Sequence, residues 1–192
     1  MNVVLHSCCG PCASACVPRL KGEGHRVAMF FSNSNIYTRE EYERRLEAAR
    51  KLAAAEGVTL VADAYDHADW LREVAAGYES EPERGRRCAR CYRYNLARTA
   101  AYAAANGFEA FTTSLTVSPH KPSEKIFAAW GEPPSSAVGP AREGARPPVF
   151  LREDFKKKDG FKLSVKRAAE LGLYRQAYCG CEFSKRRMEE RT

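Results

Sequence analysis

Asn2-Val-Val-Leu-His-Ser-Cys-Cys-Gly-Pro-Cys12 opens the chain and decides the choice of fold. Its short apolar run predicts a strand over residues 2–7. The segment from about Pro11 to Lys21 is predicted to be helical, with Pro18 kinking the helix or ending it early. A strand that leads directly into a helix is the first half of a strand–helix–strand unit, so this opening predicts a parallel sheet.

The same alternation continues along the chain. Thr38-Arg-Glu-Glu41 is a capping box, in which the Thr38 hydroxyl accepts from a first-turn amide and Glu41 reaches back, and the helix behind it should run to Glu56. We therefore expect an α/β fold of the Rossmann-like type, with helices on both faces of a parallel sheet and a cysteine-bearing C-terminal segment, in one domain over residues 1–192. The further predicted strands are residues 26–31, 58–62, 108–113 and 148–151, and the further predicted helices are residues 68–76, 89–106, 123–130 and 163–171.

Cysteine and polar residues follow the predicted strands. In folds of this kind the working site lies beyond the carboxyl ends of the strands. Cys8 and Cys9 follow the first strand, Asp63 follows the third, and residues 114–121 follow the fourth. Two cysteines thus lie where folds of this kind have their active site.

The composition is typical of a globular protein with a real core, at 44% hydrophobic and 29% charged residues. The N-terminus lacks the basic region of a signal peptide, and no window approaches the roughly 18 apolar residues of a membrane span. We expect a cytoplasmic protein with no membrane partner. In that reducing compartment, eight cysteines indicate metal ligation or redox chemistry rather than a disulfide framework.

Three cysteine pairs carry the metal hypothesis: Cys8-Cys9, Cys88-Ala-Arg-Cys91 and Cys179-Gly-Cys181. The C-x-x-C spacing brings two sulfurs together on one turn, and the glycine of C-x-C lets the backbone bend so that both thiols can face one centre. Cys12 lies near a helix start, where the dipole favours thiolate, so it is a candidate further ligand. Cys16 is expected to be a small buried apolar residue.

The number of cysteines limits the kind of centre. A tetrahedral zinc ion and a cubane cluster each take four cysteine ligands, whereas the three pairs supply six. The surplus suggests either a cluster with a second metal ion beside it or a cluster with a redox-active dithiol. A purely structural zinc site leaves the surplus unexplained.

Positive charge is concentrated in a few places. The net charge is +7, and residues 84–98 hold six arginines with no acidic residue between them. Smaller basic groups lie at residues 156–158 and 185–187. A basic face is what a polyphosphate partner requires, although an arginine-rich solvated surface explains the charge equally well.

Several motifs together resemble the QueH-type epoxyqueuosine reductases over nearly the whole chain. Beyond the opening stretch His6–Cys12, they are Ser34-Asn-Ile36 leading into Glu40-Glu-Tyr42, Arg87-Cys-Ala-Arg-Cys-Tyr-Arg93, Phe111-Thr-Thr-Ser-Leu-Thr-Val-Ser-Pro-His-Lys121 and Tyr174-Arg-Gln-Ala-Tyr-Cys-Gly-Cys181. The chain departs from the family at residues 32–35, which are less rich in proline, and at Cys12, where members vary.

The resemblance implies a nucleotide-hydrolase-like α/β fold and the last step of queuosine synthesis, the reduction of epoxyqueuosine at the wobble position of tRNA. It implies a cubane [4Fe–4S] cluster, with an adjacent single iron ion as an additional candidate, and no cobalamin. The electron donor stays unidentified. The implied metal ligands are Cys8, Cys9, Cys88, Cys91, Cys179 and Cys181.

Roles for other residues follow from the same substrate. His120 is a candidate proton donor or tRNA contact. Alternatively, it is a loop histidine that only hydrogen-bonds to nearby backbone groups. Lys121 is assigned to phosphate, and Tyr37 and Tyr92 to stacking on splayed anticodon bases, with core packing the expected fate of at least one candidate tyrosine. The arginines expected to follow the RNA backbone are Arg86, Arg87, Arg90 and Arg93.

Three other classes compete with this interpretation. Cys9-Gly-Pro-Cys12 matches the thioredoxin redox tetrad, and a thioredoxin-like thiol oxidoreductase would use that dithiol alone. A zinc-bearing RNA-binding module without catalysis would bind zinc and be colourless. An ATP-dependent tRNA-thiolation enzyme is disfavoured, because Ser7-Cys-Cys-Gly10 stands where those enzymes carry a Ser-Gly-Gly phosphate loop.

Overall fold

Five short strands form one parallel sheet in a computed structural model that describes residues 1–131 and 146–190. The sheet order is β3-β2-β1-β4-β5, so the first strand lies at the centre, and all four pairings between neighbouring strands are parallel. Because all carboxyl ends of parallel strands meet at one edge, the segments that follow β1, β2, β3 and β4 are brought together. The strands are β1 (Asn2–His6), β2 (Arg26–Phe31), β3 (Thr59–Ala62), β4 (Ala110–Thr113) and β5 (Val149–Phe150).

Helices cover both faces of the sheet, as predicted. One core contains Leu5 with Leu20 and Leu52, and the other contains Val4 with Leu96 and Ile126. None of the helices in residues 1–131 and 146–190 is long and apolar enough to cross a membrane. The helices are α1 (Gly10–Gly22), α2 (Arg39–Glu56), α3 (His67–Trp70, continued by a π-helical turn over Leu71–Ala75), α4 (Arg86–Ala105), α5 (Ser123–Trp130), α6 (Gly160–Glu170) and α7 (Glu182–Glu189), with a 3-10 turn over Ser114–Val117.

The structure differs from three local predictions. Pro18 does not end α1, because Val17 and Leu20 on either side of it are fully buried and packing carries the helix to Gly22. The capping box is only half formed: the Glu41 amide donates to the Thr38 hydroxyl at 3.3 Å, but the Glu41 carboxylate binds Arg45 instead of reaching back. The predicted helices end at residue 171, whereas the structure has a further helix, α7, after that position.

Gly10, at the start of α1, allows a close approach between α1 and α2. A Cβ atom at this position would lie 2.5 Å from the carbonyl oxygen of Ala48, a backbone atom that can move only if the two helices separate. We expect Gly10→Ala to lower the free energy of unfolding by about 1–3 kcal/mol, as overpacking does. Urea unfolding measures this change.

Gly22→Ala is the matched control, because a Cβ there meets no heavy atom within 4 Å. Its unfolding free energy should stay within about 0.5 kcal/mol of the parent value. Equal unfolding midpoints for the two variants would show that the α1–α2 contact does not depend on Gly10.

Candidate metal centre

Cys8 and Cys9 follow the carboxyl end of β1, the central strand of the sheet. Cys9 is the N-cap of α1, and its sulfur accepts a hydrogen bond from the Cys12 amide at 3.4 Å. Cys8 lies against the segment after β4: its amide donates to Ser114 Oγ at 3.0 Å, and the Ser114 hydroxyl donates to Cys8 Sγ at 3.3 Å. The central strand and its neighbour β4 therefore position the first two thiols.

The ligand atoms of Cys8, Cys9 and Cys12 all lie within 4.8 Å of one another, and we call these residues the first thiol group. Hydrogen bonds from the Cys12 and Cys8 thiols to its sulfur hold the pKa of Cys9 well below its ordinary value. The same interactions, with burial, raise the pKa of Cys12. One negative charge is thus favoured at the start of α1, where thiolate is stabilised.

Cys88, Cys91, Cys179 and Cys181 form a second thiol group between the start of α4 and the start of α7. Because α4 begins at Arg86, three residues earlier than predicted, Cys88 and Cys91 both lie in its first two turns. Burial raises the pKa of Cys91 well above its ordinary value, and the nearby Cys179, Cys181 and Cys88 thiols raise it further. Within residues 1–131 and 146–190, the first thiol group is the one set of three ligand atoms drawn within 4.8 Å, so the second is more widely spaced.

A buried ion pair holds the C-terminal cysteines in place. Arg45, 1% exposed, binds Glu41 at 2.7 Å, and its guanidinium also donates to the Cys179 carbonyl oxygen at 2.8 Å. The Tyr174 hydroxyl donates to the other side of Glu41 at 2.9 Å. Helix α2 thereby anchors the segment that carries Cys179 and Cys181.

Gly180 adopts a backbone conformation that suits glycine, with φ 142°. A Cβ there would lie 3.0 Å from Arg45 Nη1 and 3.2 Å from Asn35 Nδ2, and the Gly180 carbonyl accepts from the Tyr37 amide at 2.8 Å. The predicted role of the C-x-C glycine, a bend that aims the flanking thiols, agrees with this backbone.

Two cavities border the thiols. One of about 560 Å³ has Cys9, Cys12 and Cys179 in its wall, and a narrow one of about 20 Å³ has Cys8, Cys91 and Cys179 in its wall. Cys179 borders both, so the two thiol groups face a common region.

The donor set fits a metal centre. All eight cysteines are free thiols, and thiolate is the preferred ligand of iron–sulfur clusters and zinc. Two buried amide oxygens beside the cavities, Gln176 Oε1 and Asn95 Oδ1, accept no hydrogen bond from protein. The second group contains four thiols, the number that a cubane cluster takes, and the first group contains three.

Two of the residues predicted to contact RNA are buried, so that assignment is withdrawn for them. Arg87 is 3% exposed and donates to the backbone carbonyls of Tyr78, Glu79 and Glu81 at 2.7–3.0 Å, which hold its guanidinium inside the protein. Tyr92 is 5% exposed and packs in the core between α4 and the sheet.

The other predicted RNA contacts lie at the surface. Arg86 is exposed and paired with Glu81 at 2.7 Å, and Arg90 is exposed with its guanidinium on the carbonyls of residues 73 and 74. Arg93 is exposed, and Tyr37 is 39% exposed. Arg93 and Tyr37 are thus exposed as well, with the Lys185 ammonium group 5.6 Å from the centre of the Tyr37 ring.

The remaining predicted residues surround the larger cavity or lie apart from it. His120 is exposed and Lys121 is half-buried, and both line the larger cavity. Asp63 binds Arg98 at 2.9 Å and accepts from the Ser32 hydroxyl at 2.6 Å, which occupies its carboxylate in an ion pair. Cys16 is fully buried, as predicted.

Sequence reasoning missed the residues that support the thiols. The sequence predicts a capping-box role for Glu41 and no role for Arg45, although a glutamate and an arginine at i, i+4 on the buried face of a helix were a signal. Gln176 and Asn95 carried no signal, since single amides in polar segments are common. Their positions beside the cavities come from the tertiary fold.

Comparison with known proteins gives one consistent result. The family model described as epoxyqueuosine reductase QueH matches residues 3–187. Proteins named epoxyqueuosine reductase QueH are similar to this chain: that of Streptococcus pyogenes at 35% identity, covering 95% of this chain and 70% of the relative, and that of Dehalococcoides mccartyi at 34%, covering 95% and 92%. The protein of that name from Thermotoga maritima is 32% identical, covering 95% and 90%.

Proposed function

Because the chain belongs to the epoxyqueuosine reductase QueH family and is an oxidoreductase of queuosine biosynthesis, we propose that it reduces epoxyqueuosine to queuosine at the wobble position of tRNA with an iron–sulfur centre and without cobalamin. One observation carries the proposal. Free cysteines from three distant stretches of sequence border one narrow cavity, and two of these stretches also border a neighbouring cavity large enough for a nucleoside.

The reaction sets what the site must supply. Removing the epoxide oxygen as water leaves a carbon–carbon double bond and consumes two electrons and two protons. An iron centre, when bound, supplies electrons and a Lewis acid for the leaving oxygen. The proposed ligands are Cys8, Cys9, Cys88, Cys91, Cys179 and Cys181, with Cys12 as a further ligand because its sulfur belongs to the first thiol group.

The larger cavity suits the modified nucleoside. Its volume of about 560 Å³ lies within the range of small-molecule sites, roughly 300–1,000 Å³. Phe161 and Tyr178 give its wall two aromatic rings, and Gln176 places an amide oxygen without a protein donor beside Cys9. We assign His120, exposed in the same wall, to proton delivery or to contact with the RNA.

The rim of this cavity replaces the buried arginine as the main RNA surface. Among the described residues, Arg84, Arg175 and Arg187 line the cavity together with His120, and Glu83 is the one acidic residue in its wall. A positive rim around a nucleoside-sized opening suits an anticodon loop that inserts one base and lays its phosphates outside. Arg93 and Tyr37 remain proposed contacts because they are exposed.

This surface predicts a salt effect. Arg175→Gln should weaken binding of an anticodon stem-loop RNA and lower the slope of log affinity against log salt by about 1, since one phosphate contact is lost. Adding Arg187→Gln should lower the slope again by about 1. Fluorescence anisotropy over a range of salt concentrations measures both values.

Arg26→Gln serves as the control. Arg26 is exposed at the amino end of β2, the sheet edge opposite to the thiols, and it should leave the slope unchanged. A slope that falls equally in all three variants would show that net charge, and not the cavity rim, governs RNA binding.

We place the protein in the cytoplasm, as one domain over residues 1–192. Free thiols persist in that reducing compartment, tRNA is present there, and the described residues share one sheet. A cytoplasmic electron donor must deliver the two electrons.

Nucleoside analysis tests the proposed function. Protein reconstituted anaerobically with iron and sulfide is incubated with a reductant and epoxyqueuosine-containing tRNA, and the nucleosides are then resolved by mass spectrometry. We expect epoxyqueuosine to be converted into a nucleoside with one oxygen atom fewer. Persistence of epoxyqueuosine with iron-loaded, RNA-binding protein would reject the assignment.

The thiol arrangement also supports a second candidate. Cys9 caps α1 with a lowered pKa and lies within 4.8 Å of Cys12, as an attacking thiolate and its partner do. A thioredoxin-like oxidoreductase of this kind reduces insulin disulfides in the absence of metal. This activity, without nucleoside conversion, would favour the second candidate.

A further inference from the structure

Lys121 occupies an unusual position between the two thiol groups. It lies in the segment after β4 and borders both cavities, facing Cys9, Cys12 and Cys179 in the larger one and Cys8, Cys91 and Cys179 in the narrow one. Its backbone is held on both sides, since its amide donates to Ser118 O at 3.2 Å and its carbonyl accepts from Lys156 Nζ at 3.1 Å.

No carboxylate neutralises this lysine within the described residues. The ion pairs found in residues 1–131 and 146–190 leave its ammonium group without an acidic partner, and it is the one cationic side chain in the wall of the narrow cavity. A half-buried lysine without an acidic partner is uncommon, because removing its charge from water is unfavourable. Among the described residues, Glu83 is the one carboxylate in the wall of the larger cavity and forms no ion pair with Lys121, so the cysteines that share both walls are the groups that can supply negative charge.

We propose that Lys121 is a positioning residue whose ammonium charge compensates the thiolates of both groups and thereby raises the reduction potential of the metal centre they hold. The proposal rests on the proposed function, since it assumes a redox centre at the thiols. It also replaces the phosphate contact expected from the sequence, because the side chain is half-buried beside the cysteines.

Electrostatics agree with this geometry. Burial alone would lower the pKa of Lys121, but Cys179, Cys8 and Cys12 outweigh it and raise the pKa above the ordinary value. The other buried cations nearby are already bound: Arg45 to Glu41 and to the Cys179 carbonyl, and Arg87 to three backbone carbonyls. A reduced centre carries more negative charge than an oxidised one, so a fixed cation stabilises the reduced form.

Three variants of the anaerobically reconstituted full chain test the proposal. Lys121→Met removes the charge at similar length, Lys121→Arg keeps it, and Lys166→Met makes the same change on the exposed face of α6. The midpoint potential is measured by titration followed by electron paramagnetic resonance. We expect Lys121→Met to shift the reduction equilibrium at least about tenfold toward the oxidised form, about 59 mV for one electron, and the other two to match the parent.

Each outcome decides the question. An unchanged potential in Lys121→Met would overturn the proposal, as would a shift of the same size in Lys121→Arg. If Lys121→Met fails to retain iron, retention by Lys121→Arg supports the charge requirement, and loss in Lys121→Arg refutes it. If Lys121→Met shows the expected shift but iron-loaded parent protein does not reduce epoxyqueuosine, the proposed function alone is rejected. Parent protein that binds no iron would reject both.

Discussion

Cys88→Ala protein is expected to lose its brown colour and its reductase activity together. Cys88 lies in the first turn of α4, where the Arg84 amide donates to its sulfur at 3.2 Å and Cys179 is close enough to affect its pKa. Removing one of the proposed metal ligands should lower activity by more than about 100-fold, since changes to the outer shell of a metal site already lower it 10–100-fold. Absorbance, iron content and nucleoside conversion measure the effect.

Cys16→Ala is the matched control for this loss. Cys16 is fully buried in α1 one turn beyond Cys12, and its thiol donates only to the Cys12 carbonyl at 3.4 Å. The variant should keep its iron and its activity, with a small loss of stability. Normal activity in Cys88→Ala after the colour is gone would refute the role of the cluster in reduction.

Arg45→Met is expected to cause the largest loss of stability. Arg45 and Glu41 have side chains 1% and 8% exposed, so the substitution leaves the Glu41 carboxylate buried and unpaired. Breaking a buried pair in this way lowers the free energy of unfolding by about 3–5 kcal/mol. The Cys179 carbonyl also loses its donor, so iron binding should fall with stability, as urea unfolding and iron analysis can show.

Arg50→Met is the matched control, because it removes an exposed ion pair from the same helix instead of a buried one. Arg50 and Glu47 form an exposed pair at 3.7 Å, with side chains 55% and 56% exposed, and such pairs contribute about 0–1 kcal/mol. If Arg45→Met unfolds at the same urea concentration as Arg50→Met, the buried pair is not what anchors the C-terminal cysteines.

The sequence was sufficient for the sheet and for the position of Cys8 and Cys9. The short apolar run before Cys8 has a period and length that fit a buried strand, and the rule for parallel sheets then places the thiols at its carboxyl end. The spacing of the cysteines also indicated three pairs, but it did not show that the thiols divide into two groups.

Tertiary contacts decided what the sequence left open. Arg87 and Arg93 are both arginines of one helix, yet the chain over residues 78–81 curves back to place its carbonyls around Arg87 only. Helix α7 is short and polar and has no side-chain cap, so neither periodicity nor a capping motif in the sequence indicated it. Burial of this kind depends on which segments meet, which local patterns do not encode.

The most direct test of whether the cysteines hold an iron–sulfur cluster is to count iron and sulfide in protein purified without oxygen. The electron paramagnetic resonance spectrum of the same protein is recorded after reduction. We expect at least four irons and four acid-labile sulfides per chain and the signal of a reduced cluster, all lost in Cys88→Ala. Colourless protein with zinc at its thiols, or cysteines joined in disulfides, would contradict it.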